Sequence, residues 1–177
     1  MMRRTFLYAL AFAGASVLSG CGYSATSALP SGLRTVYVDS FKNSISYTLE
    51  GDRNTYLPLL KVKLRTAVIE RFLFDGHLDI AESESADLIL KGELIGYERN
   101  ALRFTDNDDV QEYRVRVVMK LMMWDTKLNE VFWEESGFAG EGDYFVRGPI
   151  VGTEAQAVEE AVEDLARRVV ERTIENW

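Results

Sequence analysis

Between Tyr113 and Trp124 the chain alternates with a period of two. Tyr113, Val115, Val117, Met119, Leu121 and Met123 fall on one side, and Arg114, Arg116, Val118, Lys120, Met122 and Trp124 on the other. Successive side chains of a strand point to opposite faces, so this pattern commits the segment to a sheet with one buried face and one partly open face. The rest of the chain must supply neighbours and a cover. Ala86 to Phe104 is apolar and β-branched enough to be the preceding strand, with Gly92 and Gly96 inside it marking a bulge or bend. Asp106-Asn107-Asp108-Asp109 supplies the hairpin turn between the two. Asp125 to Asn129 turns the chain again, and Glu130 to Ala139 forms a further strand before a glycine-rich stretch that runs to Gly152. Arg34 to Phe41 and Leu78 to Ala81 read as shorter strands.

The cover comes from two helical patterns. Leu57, Leu60, Leu64, Ala67, Val68 and Phe72 recur at helical spacing, with Leu59, Val62, Ile69 and Leu73 widening the apolar face. Asn54 or Thr55 offers a cap with Pro58 in the first turn, and Asp75-Gly76 ends the helix. Thr153-Glu154-Ala155-Gln156 fits a capping box for the second helix. Its stripe is Val158, Val162, Leu165, Val169 and Ile174, bordered by Ala161, Ala166 and Val170. Acids lie early in it and Arg167, Arg168 and Arg172 late, the order that the helix dipole favours. The expected fold is α+β, a two-layer sandwich with two helices packed on one face of a mostly antiparallel sheet of four to five strands.

The N-terminus differs from all of this. Arg3 and Arg4 precede an acid-free apolar run from Phe6 to Leu18, the n-region and h-region of a signal peptide, too short for a comfortable membrane span of about 20 residues. Leu18-Ser19-Gly20-Cys21 follows and resembles the bacterial lipoprotein box, whose cysteine is lipidated and becomes the new N-terminus. This reading divides the chain into a signal peptide over 1–20, a lipidated N-terminus and linker over 21–32, and a single domain over 33–177. Two or more acyl chains give stable anchoring, so the covalent lipid on Cys21 is the expected membrane attachment and no other cofactor is expected. The residue after Cys21 is Gly22, whereas in the lipoproteins that this segment resembles, an aspartate there is the usual inner-membrane retention signal, which favours the outer membrane.

Composition narrows the chemistry. The 177 residues carry 20 Lys and Arg against 28 Asp and Glu, a formal charge of -8; loss of Arg3 and Arg4 with the leader makes it -10. Such a balance argues against non-specific nucleic-acid binding. One Cys and one His cannot build a structural zinc site. His77 sits in the helix-to-strand turn Phe74-Asp75-Gly76-His77-Leu78, without a serine or cysteine motif beside it, and no phosphate or dinucleotide loop is present. Asp106, Asp108 and Asp109 lack the ligand order of a calcium loop. No catalytic and no metal residues are expected.

The open face of the hairpin is more informative. With a turn symmetric about Asn107-Asp108, Arg99 stands opposite Arg116, Arg103 opposite Glu112 and Ala101 opposite Arg114. Like charges directly across a strand pair are destabilising, a pairing more readily understood if an anion lies over it. Arg99, Arg103, Arg114, Arg116 and Lys120 are therefore the candidate anionic-ligand residues, with Lys91 extending the charge and Ile95, Tyr97, Val118, Met122 and Trp124 giving apolar ground. The alternative is a solvated face whose arginines are relieved by Glu98, Glu112 or other acids, and a register slip of one residue would dissolve the Arg99–Arg116 pair.

Several features coincide further. Cys21-Gly22-Tyr23, the strand from Leu33 to Phe41 with Asn43 after it, Ala86-Asp87-Leu88-Ile89-Leu90-Lys91-Gly92, Glu112-Tyr113-Arg114-Val115, Trp133-Glu134 and the alanine-rich last helix together resemble the lipopolysaccharide-assembly lipoprotein family (LptE). The resemblance implies a non-enzymatic outer-membrane lipoprotein facing the periplasm. It also implies that such a protein helps a large LptD-like β-barrel translocon to assemble and contacts lipopolysaccharide in transit. A lipoprotein of a phospholipid-transport or envelope-maintenance system is the alternative.

Overall fold

The computed structural model describes residues 29–45 and 59–175. The expected leader, Cys21, the first part of the expected linker, and the cap expected at Asn54 or Thr55 with Pro58 lie outside the described residues. In chain order the elements are β1 (Thr35–Val38), β2 (Lys42–Asn43), α1 (Leu60–Asp75), β3 (Asp79–Ile80), β4 (Leu88–Phe104), β5 (Val110–Asp125), β6 (Glu130–Phe145) and α2 (Glu154–Glu175). The α+β class and the two helices on one face are as expected. The sheet is larger and more mixed than expected: six strands in the order β3-β1-β4-β5-β6, with β2 beside β4. The long pairs β4–β5 and β5–β6 are antiparallel, whereas β1–β3, β1–β4 and β2–β4 are parallel. Chain order explains the parallel part, because a helix inserted between two neighbouring strands returns the chain in the same direction, and α1 lies between β1 and β3.

The alternation of β5 is realised as read. Val115, Val117, Met119, Leu121 and Met123 are buried beneath the helices, in one core with Val36, Leu88, Leu90 and Leu94 of the neighbouring strands. From α1 the core receives Leu60, Leu64, Val68 and Phe72, a single line at every fourth residue. Leu59, Val62 and Leu73, expected to widen that face, are exposed. The short strands β1 and β3 offer α1 only a narrow bed. The helix ends at Gly76, whose left-handed φ of 75° lets its N–H reach the carbonyl of Phe72 at 3.0 Å, a turn that a residue with a Cβ adopts only at a cost.

The capping box of α2 is present in both directions. Thr153 Oγ1 accepts from the Gln156 N–H at 3.2 Å, and Gln156 Oε1 accepts from the Thr153 N–H at 2.9 Å. The whole expected stripe is buried, together with Ala157. What the sequence did not show is how close α2 lies to the sheet. β6 does not stop near Ala139 but continues to Phe145, and Gly140 and Gly142 lie under the helix: a Cβ on either would overlap the carbonyl oxygen of Ala161 or of Ala157. These glycines belong to a packed strand, where the absence of a side chain lets two backbones meet.

Candidate functional site

Strand register decides what the hairpin presents. Phe104 pairs with Val110 and Arg103 with Glu112, which leaves Gln111 extra on β5; from Arg103 to Ala101 it is β4 that advances two residues while β5 advances one, to Tyr113. Leu102 is the extra residue there. Beyond it Arg99 pairs with Val115 and Arg116 with Glu98, so the expected Arg99–Arg116 and Ala101–Arg114 pairs do not form, whereas Arg103–Glu112 does. A third irregularity leaves Ile95 extra between Leu94 and Gly96. Since a slip of one residue moves a side chain to the other face, Arg99 lies on the helix side of the sheet, away from Arg114, Arg116 and Lys120.

The open face brings Arg103, Arg114, Arg116 and Lys120 together with acids. Arg114 grips Asp143 through two parallel hydrogen bonds of 2.8 Å and reaches Glu141 at 2.9 Å. Arg116 joins Glu141 to Glu98, both at 3.0 Å. Lys120 meets Glu134 at 3.2 Å, and Arg103 meets Glu112 at 3.4 Å. The hydrogen bonds between Arg114 and Asp143 hold the carboxyl below its ordinary range and push the guanidinium further above its own. Counter-charge thus comes from β4, β5 and β6 themselves. Glu98 and Glu112 act as the expected relieving acids; Glu141 and Asp143 join them because β6 extends past Ala139 to Phe145 and sets them opposite Arg116 and Arg114.

Below this ladder a groove of about 390 Å³ opens between β2, β4 and β5. Lys42, Lys91 and Lys120 line it, facing Asp39, Glu93 and Glu134. Lys42 and Lys91 make no ion pair among the described residues, and Lys91 Nζ lies 5.9 Å from the centre of the Trp124 ring.

On the helix side, Arg99 belongs to a different constellation. It bonds Glu154 at the start of α2 at 3.0 Å and lies 4.7 Å above the ring of Tyr113, which stacks on Tyr144. Tyr97 donates to the same carboxylate at 2.6 Å and Tyr144 at 3.4 Å. Burial opposes ionisation of Glu154, but the hydrogen bonds from Tyr97 and Arg99 outweigh it and leave its pKa lowered; burial and the nearby carboxylate push that of Tyr97 up. This cluster ties the head of α2 to the hairpin. Only the inward position of Tyr113 hinted at it in the sequence. His77 sits in its exposed turn with Nδ1 2.7 Å from Asp75.

Beyond the ladder, Leu102 and Phe104 on the hairpin and Val146, Ile150 and Val151 on the β6–α2 loop form an exposed apolar tip.

A family model described as LptE, lipopolysaccharide-assembly, matches residues 33–173. The chain belongs to the LptE family. Its members are lipoproteins of lipopolysaccharide assembly, and the match spans the whole sheet and nearly all of α2. Among solved structures the chain is similar to protein XCC0632 from Xanthomonas campestris, with a TM-score of 0.56, 13% identity, and coverage of 83% of this chain and 87% of that one. It is also similar to the hypothetical protein CT253 from Chlamydia trachomatis, with a TM-score of 0.54 at 9% identity over 79% of this chain and 95% of that one. Rare lipoprotein B from Shewanella oneidensis gives a TM-score of 0.40 at 17% identity over 77% and 89%. At such identities the first two show a shared fold alone. No curated protein matches the sequence.

Proposed function

We propose that this LptE-family protein is a non-enzymatic lipoprotein of the outer membrane, anchored through the lipid on Cys21 and facing the periplasm. In this reading it supports assembly of an LptD-like β-barrel translocon and binds lipopolysaccharide during export. The observation that carries the reading is the family match over residues 33–173. Lipopolysaccharide joins phosphates to acyl chains, and the open face joins Arg103, Arg114, Arg116 and Lys120 to the apolar ground of Met122 and Trp124. Because each of these cations already holds a carboxylate, phosphate binding there proceeds by exchange of partners, assisted by Lys42 and Lys91, while Arg99 acts through Glu154 as a positioning residue.

Depletion of the protein is expected to leave a large outer-membrane barrel misassembled and surface lipopolysaccharide diminished, with that barrel co-purifying from detergent-solubilised membranes. Normal barrel assembly and normal surface lipopolysaccharide would sink the proposal. Fractionation with the inner membrane, together with a co-purifying transporter, would favour the phospholipid-transport alternative. Replacing Arg114 and Arg116 together by Ser is expected to weaken lipopolysaccharide binding in vitro, and unchanged binding removes the ladder from the site.

A further inference from the structure

The end of the sheet opposite the apolar tip carries its own exposed apolar residues. In register, Thr35 stands beside Asp79, Val36 beside Leu88, Leu88 beside Asp125 and Asp125 beside Glu130, so these residues form one level across the sheet. The last turn of α1 arrives at this level just before β3, bringing Leu73 and Phe74, the latter 81% exposed. On the other flank the β5–β6 turn brings Leu128, 69% exposed, and Val131 follows it at the start of β6. Arg71 holds its guanidinium 5.3 Å from the centre of the Phe74 ring. An apolar ring beside a long cationic side chain suits the boundary between headgroups and acyl chains.

The chain leaves the described domain between these flanks. Leu29 packs against the core. Lys127 bonds the carbonyl of Gly32 and lies 2.8 Å from Asp87, whose carboxylate accepts the N–H groups of Arg34 at 2.7 Å and Thr35 at 3.2 Å. Cys21 stands eight residues before Leu29, and eight residues in any conformation reach at most about 28 Å. The 17 residues of β4 carry the opposite tip a further ~55 Å away at about 3.3 Å per residue. Asp79, Glu82 and Glu84 belong to the same end and are exposed, so the attraction is apolar rather than that of a basic patch.

We infer that the sheet end carrying Leu73, Phe74, Leu128 and Val131 rests in the headgroup region of a phospholipid bilayer, with the hairpin tip held away from it. The inference rests on the lipid anchor at Cys21. Once that cysteine is blocked by lipid, the chain has no free thiol, so single cysteines placed at Phe74, Leu128 or Ile150 take a nitrobenzoxadiazole label uniquely. The full lipidated chain is reconstituted on phosphatidylcholine vesicles and exposed to dithionite. Labels in F74C and L128C are expected to emit at shorter wavelength and to be reduced several-fold more slowly than the label in I150C, in low and high salt alike. Equal reduction at both ends of a chain that floats with the vesicles overturns the docking and leaves the anchor standing; a chain that does not float overturns both.

Discussion

α2 begins with the reciprocal Thr153–Gln156 cap, ties Glu154 to Tyr97 and Arg99, and lays Ala157 and Ala161 on the bare backbone of Gly142 and Gly140. α1 follows Leu59 without a side-chain cap, buries one line of four residues, and leaves Leu59, Val62, Leu73 and Phe74 to the outside. Both helices cover the same face, but α2 is fixed by contacts along its whole length and α1 by a seam. The difference separates two uses of apolar residues: those of α2 hold the fold, whereas the surplus on α1 is surface available to something else.

The sharpest way to break this contrast is within α1 itself. Phe72→Ala is expected to cost about 3–5 kcal/mol, as for a fully buried phenylalanine, whereas Phe74→Ala two residues on should change stability by less than about 0.5 kcal/mol. Urea unfolding measures both, and comparable losses would show that α1 is buried more broadly than described. Gly142→Ala comes next. The new methyl meets a carbonyl of α2 rather than a flexible side chain, and overpacking of this kind costs about 1–3 kcal/mol; an unchanged melting temperature would mean that α2 does not lie on this strand.

The smallest effect concerns acid. Glu154 has its pKa lowered in the folded state, so its contribution to stability is complete above the ordinary glutamate range, about pH 4–5, and is lost as pH falls through the lowered folded value. Glu154→Gln should therefore lower stability near neutrality and flatten its decline below about pH 4. The carboxylate is about one-third exposed, so the change is worth at most about 1 kcal/mol. A variant that keeps the parent's acid profile would show that the head of α2 is not held by this charge.

What could be read in advance follows the range of the interactions. The cap and stripe of α2, the alternation of β5 and the end of α1 at Gly76 are local, and each stands in the sequence as it stands in the fold. The bulges at Gln111, Leu102 and Ile95 are not local, since they exist only in the count of one strand against its neighbour, and with them went the face on which Arg99 lies. The glycines misled for a related reason. Gly140 and Gly142 suggest a break in the strand unless a helix backbone lies over them, and only a strand that continues through them brings Glu141 and Asp143 beside Arg116 and Arg114. One misread boundary on β6 thus made the open face look more positive than it is.

The ladder on that face also sets how the protein is met by anything approaching it. Each guanidinium is cancelled at about 3 Å by a carboxylate of the same sheet, so the field above it is one of side-by-side dipoles, which fades within a few ångströms instead of reaching out to a Debye length of about 8 Å or more. Such a surface gives little long-range guidance and discriminates only on touch. The ladder itself should add little to the ionic-strength dependence of encounter, and selectivity there should lie in how slowly a well-fitted molecule departs.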